Sequence, residues 1–206
     1  MFTGGCNLRC PFCHNAGLVR TPNASGNLYN EVLGYLKSRQ GVLEGVCITG
    51  GEPLLQPDLI SFLKEVKSMG FEVKLDTNGS LPNRLKETLA SGLVDYVAMD
   101  IKSSPKGYAK ACGGDVDFNT FLNSMEVVRS SGVKYEFRTT AVKGIHEVGD
   151  FVEIAKLLKP EENYFIQGFI DSGNLLGTGS AFTADEMQGI LNEVKKFVPT
   201  ASLRGQ

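Results

Sequence analysis

Three of the five cysteines, Cys6, Cys10 and Cys13, stand within eight residues in the stretch GGCNLRCPFCHN. Their spacing is C-x3-C-x2-C. A structural zinc site is closed by four ligands. His14 could supply the fourth, but it adjoins Cys13 and is awkwardly placed for the same tetrahedral ion. An iron–sulfur cluster is usually held by four thiolates. With three, one iron of a 4Fe-4S cube stays open to another ligand, and an open iron means chemistry where a closed cluster would mean electron transfer alone. Gly4 and Gly5 let the backbone pack closely around such a group. Pro11 stiffens the loop between ligands. Backbone N–H groups of the loop could hydrogen-bond the sulfides and tune the potential.

Other polar motifs occur in order behind this loop: GGEP at 50–53, DTNG at 76–79, DIK at 100–102, and Arg138 to Thr140. The first three follow or end a β-rich run, and Arg138 to Thr140 lie in the later part of one. The strands are expected at 45–49, 71–77, 94–100, 134–142 and 163–170, with a stub before Cys6. Helical patterns lie at 28–39, 57–69, 82–91, 119–131, 148–159 and 184–197. The last is expected to begin at Thr183 as N-cap, with Glu186 completing a capping box. Strands alternating with helices argue for a parallel sheet of right-handed βαβ units. The fold class is α/β, a partial barrel or an open doubly wound sheet, with its chemistry at the C-terminal ends of the strands.

The 206 residues favour one domain spanning 1–206. A net charge of −2 with no basic run argues against nucleic acid as a partner. No signal-peptide pattern opens the chain and no apolar run is long enough to span a bilayer, so a cytoplasmic protein without a membrane partner is expected. In that reducing compartment clustered cysteines are metal ligands or catalysts more often than disulfides.

The cysteine loop resembles the signature of radical S-adenosylmethionine (SAM) enzymes, and GCNLRCPFCHN resembles in particular the activating enzymes of glycyl radical enzymes. With GVCITGGEPLLQPDL, VKLDTNGSLP, VDYVAMDIK and YEFRTT, most of the chain is similar to the anaerobic ribonucleoside-triphosphate reductase activating protein family. The resemblance implies a partial (β/α)6 TIM-like barrel of parallel strands. It implies a 4Fe-4S cluster on Cys6, Cys10 and Cys13, and SAM whose amino and carboxylate groups chelate the open iron. It brings the carbonyls of Gly50 and Gly51 to the methionyl amino group, with the charge of Glu52 nearby. Asp76 is implied beside that amino group, with Asn78 in the same turn. Asp100 and Lys102 lie two apart and face the same way; Lys102 would meet the SAM carboxylate. Arg138 and Thr140 would form the site wall, Phe12 an adenine-side contact, and Gln167 and Asp171 contacts to ribose or adenine.

The activity implied is reductive cleavage of SAM and abstraction of a hydrogen atom from a glycine of a partner, anaerobic ribonucleotide reductase. The electron would come from a donor such as flavodoxin or ferredoxin. The alternatives are a radical SAM enzyme acting on another glycyl radical enzyme, such as a pyruvate formate-lyase, or on a small molecule, and a non-catalytic iron–sulfur or zinc module. Cys47 is expected to be a small buried hydrophobe, Cys112 to lie in a loop, and His14 and His146 to be structural or solvated. Family members carry a stretch before the cysteine loop that supplies a first strand, of which only MFTG remains here, so that strand is expected to be truncated. ASLRGQ at the other end reads as a tail.

Overall fold

The computed structural model describes residues 1–20, 26–171 and 173–205, with backbone alone at 26–28. The strands are β1 (Phe2–Thr3), β2 (Gly45–Gly50), β3 (Glu72–Thr77), β4 (Tyr96–Asp100), β5 (Lys134–Ala141), β6 (Tyr164–Gly168) and β7 (Ser202–Arg204). They form a seven-stranded sheet ordered as they occur in the chain. The helices are α1 (Ala16–Val19), α2 (Gly26–Lys37), α3 (Leu59–Ser68), α4 (Pro82–Ala90), α5 (Tyr108–Cys112), α6 (Phe118–Ser130), α7 (Val148–Ala155) and α8 (Ala184–Val194), with a 3-10 turn at Pro53–Leu55. Among the described residues no helix is long and apolar enough to cross a membrane.

The chain divides into two compact units. The first comprises Met1–Asn7, Gly17–Ala98 and Thr120–Tyr135. In it β1 pairs in parallel with β2 (Phe2 with Thr49, Thr3 with Gly50), and β2 with β3 (Val46 with Val73, Ile48 with Leu75). Burial alternates along β3, with Val73, Leu75 and Thr77 inside. The helix α3 shows the 3.6-residue period that makes it amphipathic: Leu59, Phe62, Leu63 and Val66 are all buried. A two-residue strand therefore stands where the sequence left a stub.

The second unit comprises Leu8–Ala16, Met99–Asn119 and Glu136–Gln206. Here β5 pairs in parallel with β6 (Arg138 with Phe165, Thr140 with Gln167), and β6 with β7 (Gln167 with Arg204). Its α8 begins as expected: Thr183 Oγ1 accepts from Glu186 N–H, and the Glu186 carboxylate accepts from Thr183 N–H. Met187, Ile190, Leu191 and Val194 form its buried stripe.

Two expectations are corrected. The presumed tail contains β7, whose three residues are a strand because β6 supplies the pairing. The presumed loop around Cys112 is helix α5, five residues long and too short to show a period.

Candidate active site

In the first unit the residues after β2 and β3 converge on Cys6. Glu52 was expected to lend charge to a ligand; it is fully buried instead. One carboxylate oxygen accepts from Leu54 N–H (3.1 Å) and Thr77 Oγ1–H (2.9 Å), the other from Asn78 N–H (2.7 Å). A buried carboxylate persists only when its lone pairs are taken up, and here that requirement ties the end of β2 to the end of β3. Asn78, so anchored, donates its amide N–H to Cys6 Sγ (3.7 Å) and to Asn7 Oδ1 (3.1 Å). Ser124 Oγ–H closes on the carbonyl of Gly79 at 2.6 Å. Asp76 is half-buried, 3.4 Å from the Lys74 ammonium.

The two glycines of GGEP have a reason within the chain itself. Gly50 adopts φ +116°, and a Cβ there would lie 2.3 Å from Thr3 N. A Cβ on Gly51 would lie 1.9 Å from the carbonyl oxygen of Gly5. That same oxygen accepts from Glu52 N–H at 2.8 Å, and Gly5 N–H reaches Leu18 O at 2.8 Å. Side chains are excluded because the start of the cysteine loop lies directly against the end of β2.

In the second unit Asp100 sits between two cations. Its carboxylate accepts from Arg138 Nε–H at 2.9 Å and from Lys102 Nζ–H at 2.8 Å. Burial alone would raise its pKa, but Arg138 and Lys102 outweigh it and hold the carboxyl at about 2. Burial likewise works against the Lys102 ammonium; Asp100 and then Cys10 reverse the effect and keep it charged far into alkaline pH. The charges continue past Arg138: Glu136 Oε1 lies 4.0 Å from its guanidinium, and Glu136 holds Arg204 by two bonds of 2.8 and 3.0 Å. Arg204 stacks over Phe165 at 3.7 Å. Glu136, Arg138 and Thr140 share a face of β5, as the strand period requires.

The Cys10 thiol has one side-chain donor, Cys112, and two opposed charges, Lys102 and Asp100, near it. The Cys112 side chain hydrogen-bonds it, and with the Lys102 charge this outweighs burial and brings its pKa down to about 7. Cys13 is half-buried and its thiol is pushed up, chiefly by burial. Phe12 is 4% exposed and packs edge-on against His146, ring centroids 6.0 Å apart. His146 Nδ1 accepts from Val142 N–H, so Nε2 carries the proton and donates it to Lys102 O at 2.8 Å. The ring is buried, which lowers its pKa and keeps it neutral. His14 is exposed, edge-on to Phe169. Cys47 is half-buried, paired in register with Lys74 rather than lost in the core. Thr140 and Gln167 are half-buried register partners, and Asp171 is exposed with Oδ1 accepting from Gly173 N–H.

The helix α5 is the part of the site that the sequence did not announce. Tyr108, buried, takes Lys102 N–H on its hydroxyl at 3.3 Å. One turn later Cys112 gives its carbonyl to Arg9 N–H at 2.9 Å and its thiol to Cys10. The signal was present in YAKACGG: a Tyr and a Cys at i and i+4, then the glycine that ends the helix at φ 73°.

Among the described residues no three His, Cys, Asp or Glu side chains are grouped to hold a single metal ion, so the donors are judged one by one. Cys6 has an amide donor at its sulfur, and the Cys112 side chain hydrogen-bonds Cys10. Thiolates with hydrogen-bond donors at sulfur are what an iron–sulfur cluster asks of its ligands. The donor set fits that group.

Residues 1–158 match the family model of the radical SAM superfamily. The chain is 33% identical over 174 residues to a Methanocaldococcus jannaschii protein named, provisionally, as a glycyl-radical enzyme activating enzyme, with 82% of this chain and 71% of that one covered. It is 31% identical over 163 residues to a probable GTP 3′,8-cyclase of Thermococcus kodakarensis, covering 74% of this chain but only 50% of the relative. Among solved structures, Streptococcus suis SuiB bound to S-adenosylmethionine superposes with a TM-score of 0.77 at 14% identity, over 99% of this chain and 48% of SuiB. That likeness shows the fold, the α/β class of parallel strands expected from the sequence. By sequence the chain belongs to the radical SAM superfamily, whose members use a 4Fe-4S cluster and SAM, and it is kin to the superfamily's glycyl-radical enzyme activating enzymes.

Proposed function

We propose that the chain acts as one radical SAM domain in the cytoplasm and installs a glycyl radical on a partner enzyme, anaerobic ribonucleoside-triphosphate reductase. The observation that carries the chemistry is the Lys102 ammonium. It is locked by Asp100 at 2.8 Å and lies within electrostatic reach of both Cys10 and Cys13. A fixed cation beside two ligand thiols is a seat for the carboxylate of SAM. Cys6, Cys10 and Cys13 would hold the cluster, which when bound and reduced by flavodoxin or ferredoxin supplies the electron that cleaves SAM. Asp76 and the backbone of Gly50 and Gly51 would receive the methionyl amino group. Arg138 and Thr140 would wall the site. Glu52 and Asn78 act as positioning residues: the first fixes the second, and the second orients Cys6. Phe12 holds the loop to the core.

The partner is supported by the kinship to an activating enzyme and by the motifs DTNG, DIK and YEFRTT. A glycine in a flexible loop suits the reaction, since it bends into a narrow site and leaves a backbone-stabilised radical. The test mixes anaerobically reconstituted, reduced protein with SAM and the reductase. Electron paramagnetic resonance should show a doublet that collapses when the glycine carries deuterium at Cα. SAM cleavage without that signal, with the reductase or any other glycyl radical enzyme of the same genome, would overturn the activating role. It would favour a small-molecule substrate, the reading that the GTP 3′,8-cyclase relative supports.

A further inference from the structure

The fourth thiol near the cysteine loop is not accounted for by the chemistry above. Cys112 is 1% exposed, at the last position of α5. Its carbonyl accepts from Arg9 N–H at 2.9 Å, so the backbone of α5 is bonded to the loop one residue before Cys10. Gly113 follows in the left-handed conformation, and a Cβ there would stand 1.9 Å from the carbonyl of Arg9. The helix end and the loop therefore touch at backbone distance, and the Cys112 side chain hydrogen-bonds that of Cys10. Buried, and anchored through its backbone to the loop, the Cys112 side chain is confined beside that of Cys10.

We propose that Cys112 is a positioning residue for the cluster: its S–H donates to the sulfur of Cys10 and sets the potential at which the cluster is reduced. This inference rests on reading Cys6, Cys10 and Cys13 as the cluster's ligands. Reduction adds one electron from a low-potential donor, taking the cluster core from 2+ to 1+, with no bond made or broken. The added negative charge spreads onto the ligand sulfurs. A hydrogen-bond donor at one of them stabilises the reduced state more than the oxidised state and raises the potential. Cys112 would thus bring the cluster closer to the reach of a physiological donor.

The experiment compares full-length wild type, Cys112→Ala and Cys112→Ser, reconstituted anaerobically. Iron and sulfide are assayed, and the reduced-cluster resonance is followed in a dithionite-poised titration without SAM. The expected result is full iron content in all three, a midpoint shifted to more negative potential in Cys112→Ala, and its return toward the wild-type value in Cys112→Ser, whose hydroxyl is also a donor. Iron lost from Cys112→Ala but kept in Cys112→Ser at an unshifted potential supports the same role. Equal midpoints in all three would show Cys112 to be packing only. Loss of iron from both variants would make it a ligand or a structural residue, and either result overturns the proposal. A wild type that binds no iron would instead refute the three-cysteine reading, and this inference would fall with it.

Discussion

Lys102 is held at three points: its ammonium by Asp100, its backbone N–H by the Tyr108 hydroxyl, and its carbonyl by His146. A side chain so fixed presents its charge in one place. Replacing it by Ala removes a charge-assisted hydrogen bond, worth roughly 1.5–3 kcal/mol. SAM affinity should then fall on the order of 10- to 100-fold in an equilibrium titration, while iron content stays at the wild-type level. An unchanged affinity would reduce Lys102 to a structural charge. Asp100 gives a prediction in pH. Its folded pKa of about 2 lies below the ordinary 3.8. The ion pairs therefore add stability in full above pH 4, and that stability is lost as pH falls through about 2. Such a shift is worth roughly 2 kcal/mol. Denaturant unfolding followed from pH 5 to pH 2 should lose that much more stability in wild type than in Asp100→Asn. Glu52→Gln keeps the shape but faces the N–H of Asn78 with an amide. It should cost about 2 kcal/mol and lower the melting temperature by roughly 4–8 °C.

Two short elements explain what could and could not be read in advance. The helices α3 and α8 were legible because long apolar periods and a capping box are local signals. The cysteine loop and the strand-end motifs were legible because residue type and order carry them. The helix α5 and the strand β7 were not, because five and three residues are too few for a period, and β7 exists only through its pairing with β6. The same limit hid what Glu52 and Phe12 do. Their types suit a ligand site, but burial and partners are settled by tertiary contacts. GGEP was assigned correctly to a strand end, yet its glycines answer first to the backbone of Thr3 to Gly5. Gly51→Ala should therefore push the cysteine loop off β2, costing about 1–3 kcal/mol in thermal unfolding. It should also lower the iron bound after reconstitution, even though Gly51 contributes no ligand atom.

At the scale of the whole molecule, the motifs are divided between the two units. The first holds Cys6 with GGEP and DTNG, and the second holds Cys10, Cys13, the DIK charges and Arg138. The alternation of strands and helices was enough to place these motifs at or near strand ends, with Arg138 inside β5, which is why the order of motifs foretold the superfamily. The central claim is that three thiolates with one iron left open make this chain a catalyst of SAM cleavage. The measurement that tests it most directly is 5′-deoxyadenosine formed from SAM by the reconstituted, dithionite-reduced chain under anaerobic conditions. Wild type should form it, and Cys6→Ala, Cys10→Ala and Cys13→Ala should each fall to background. No product from wild type carrying its full complement of iron and sulfide, or undiminished product from any of the three variants, would contradict it.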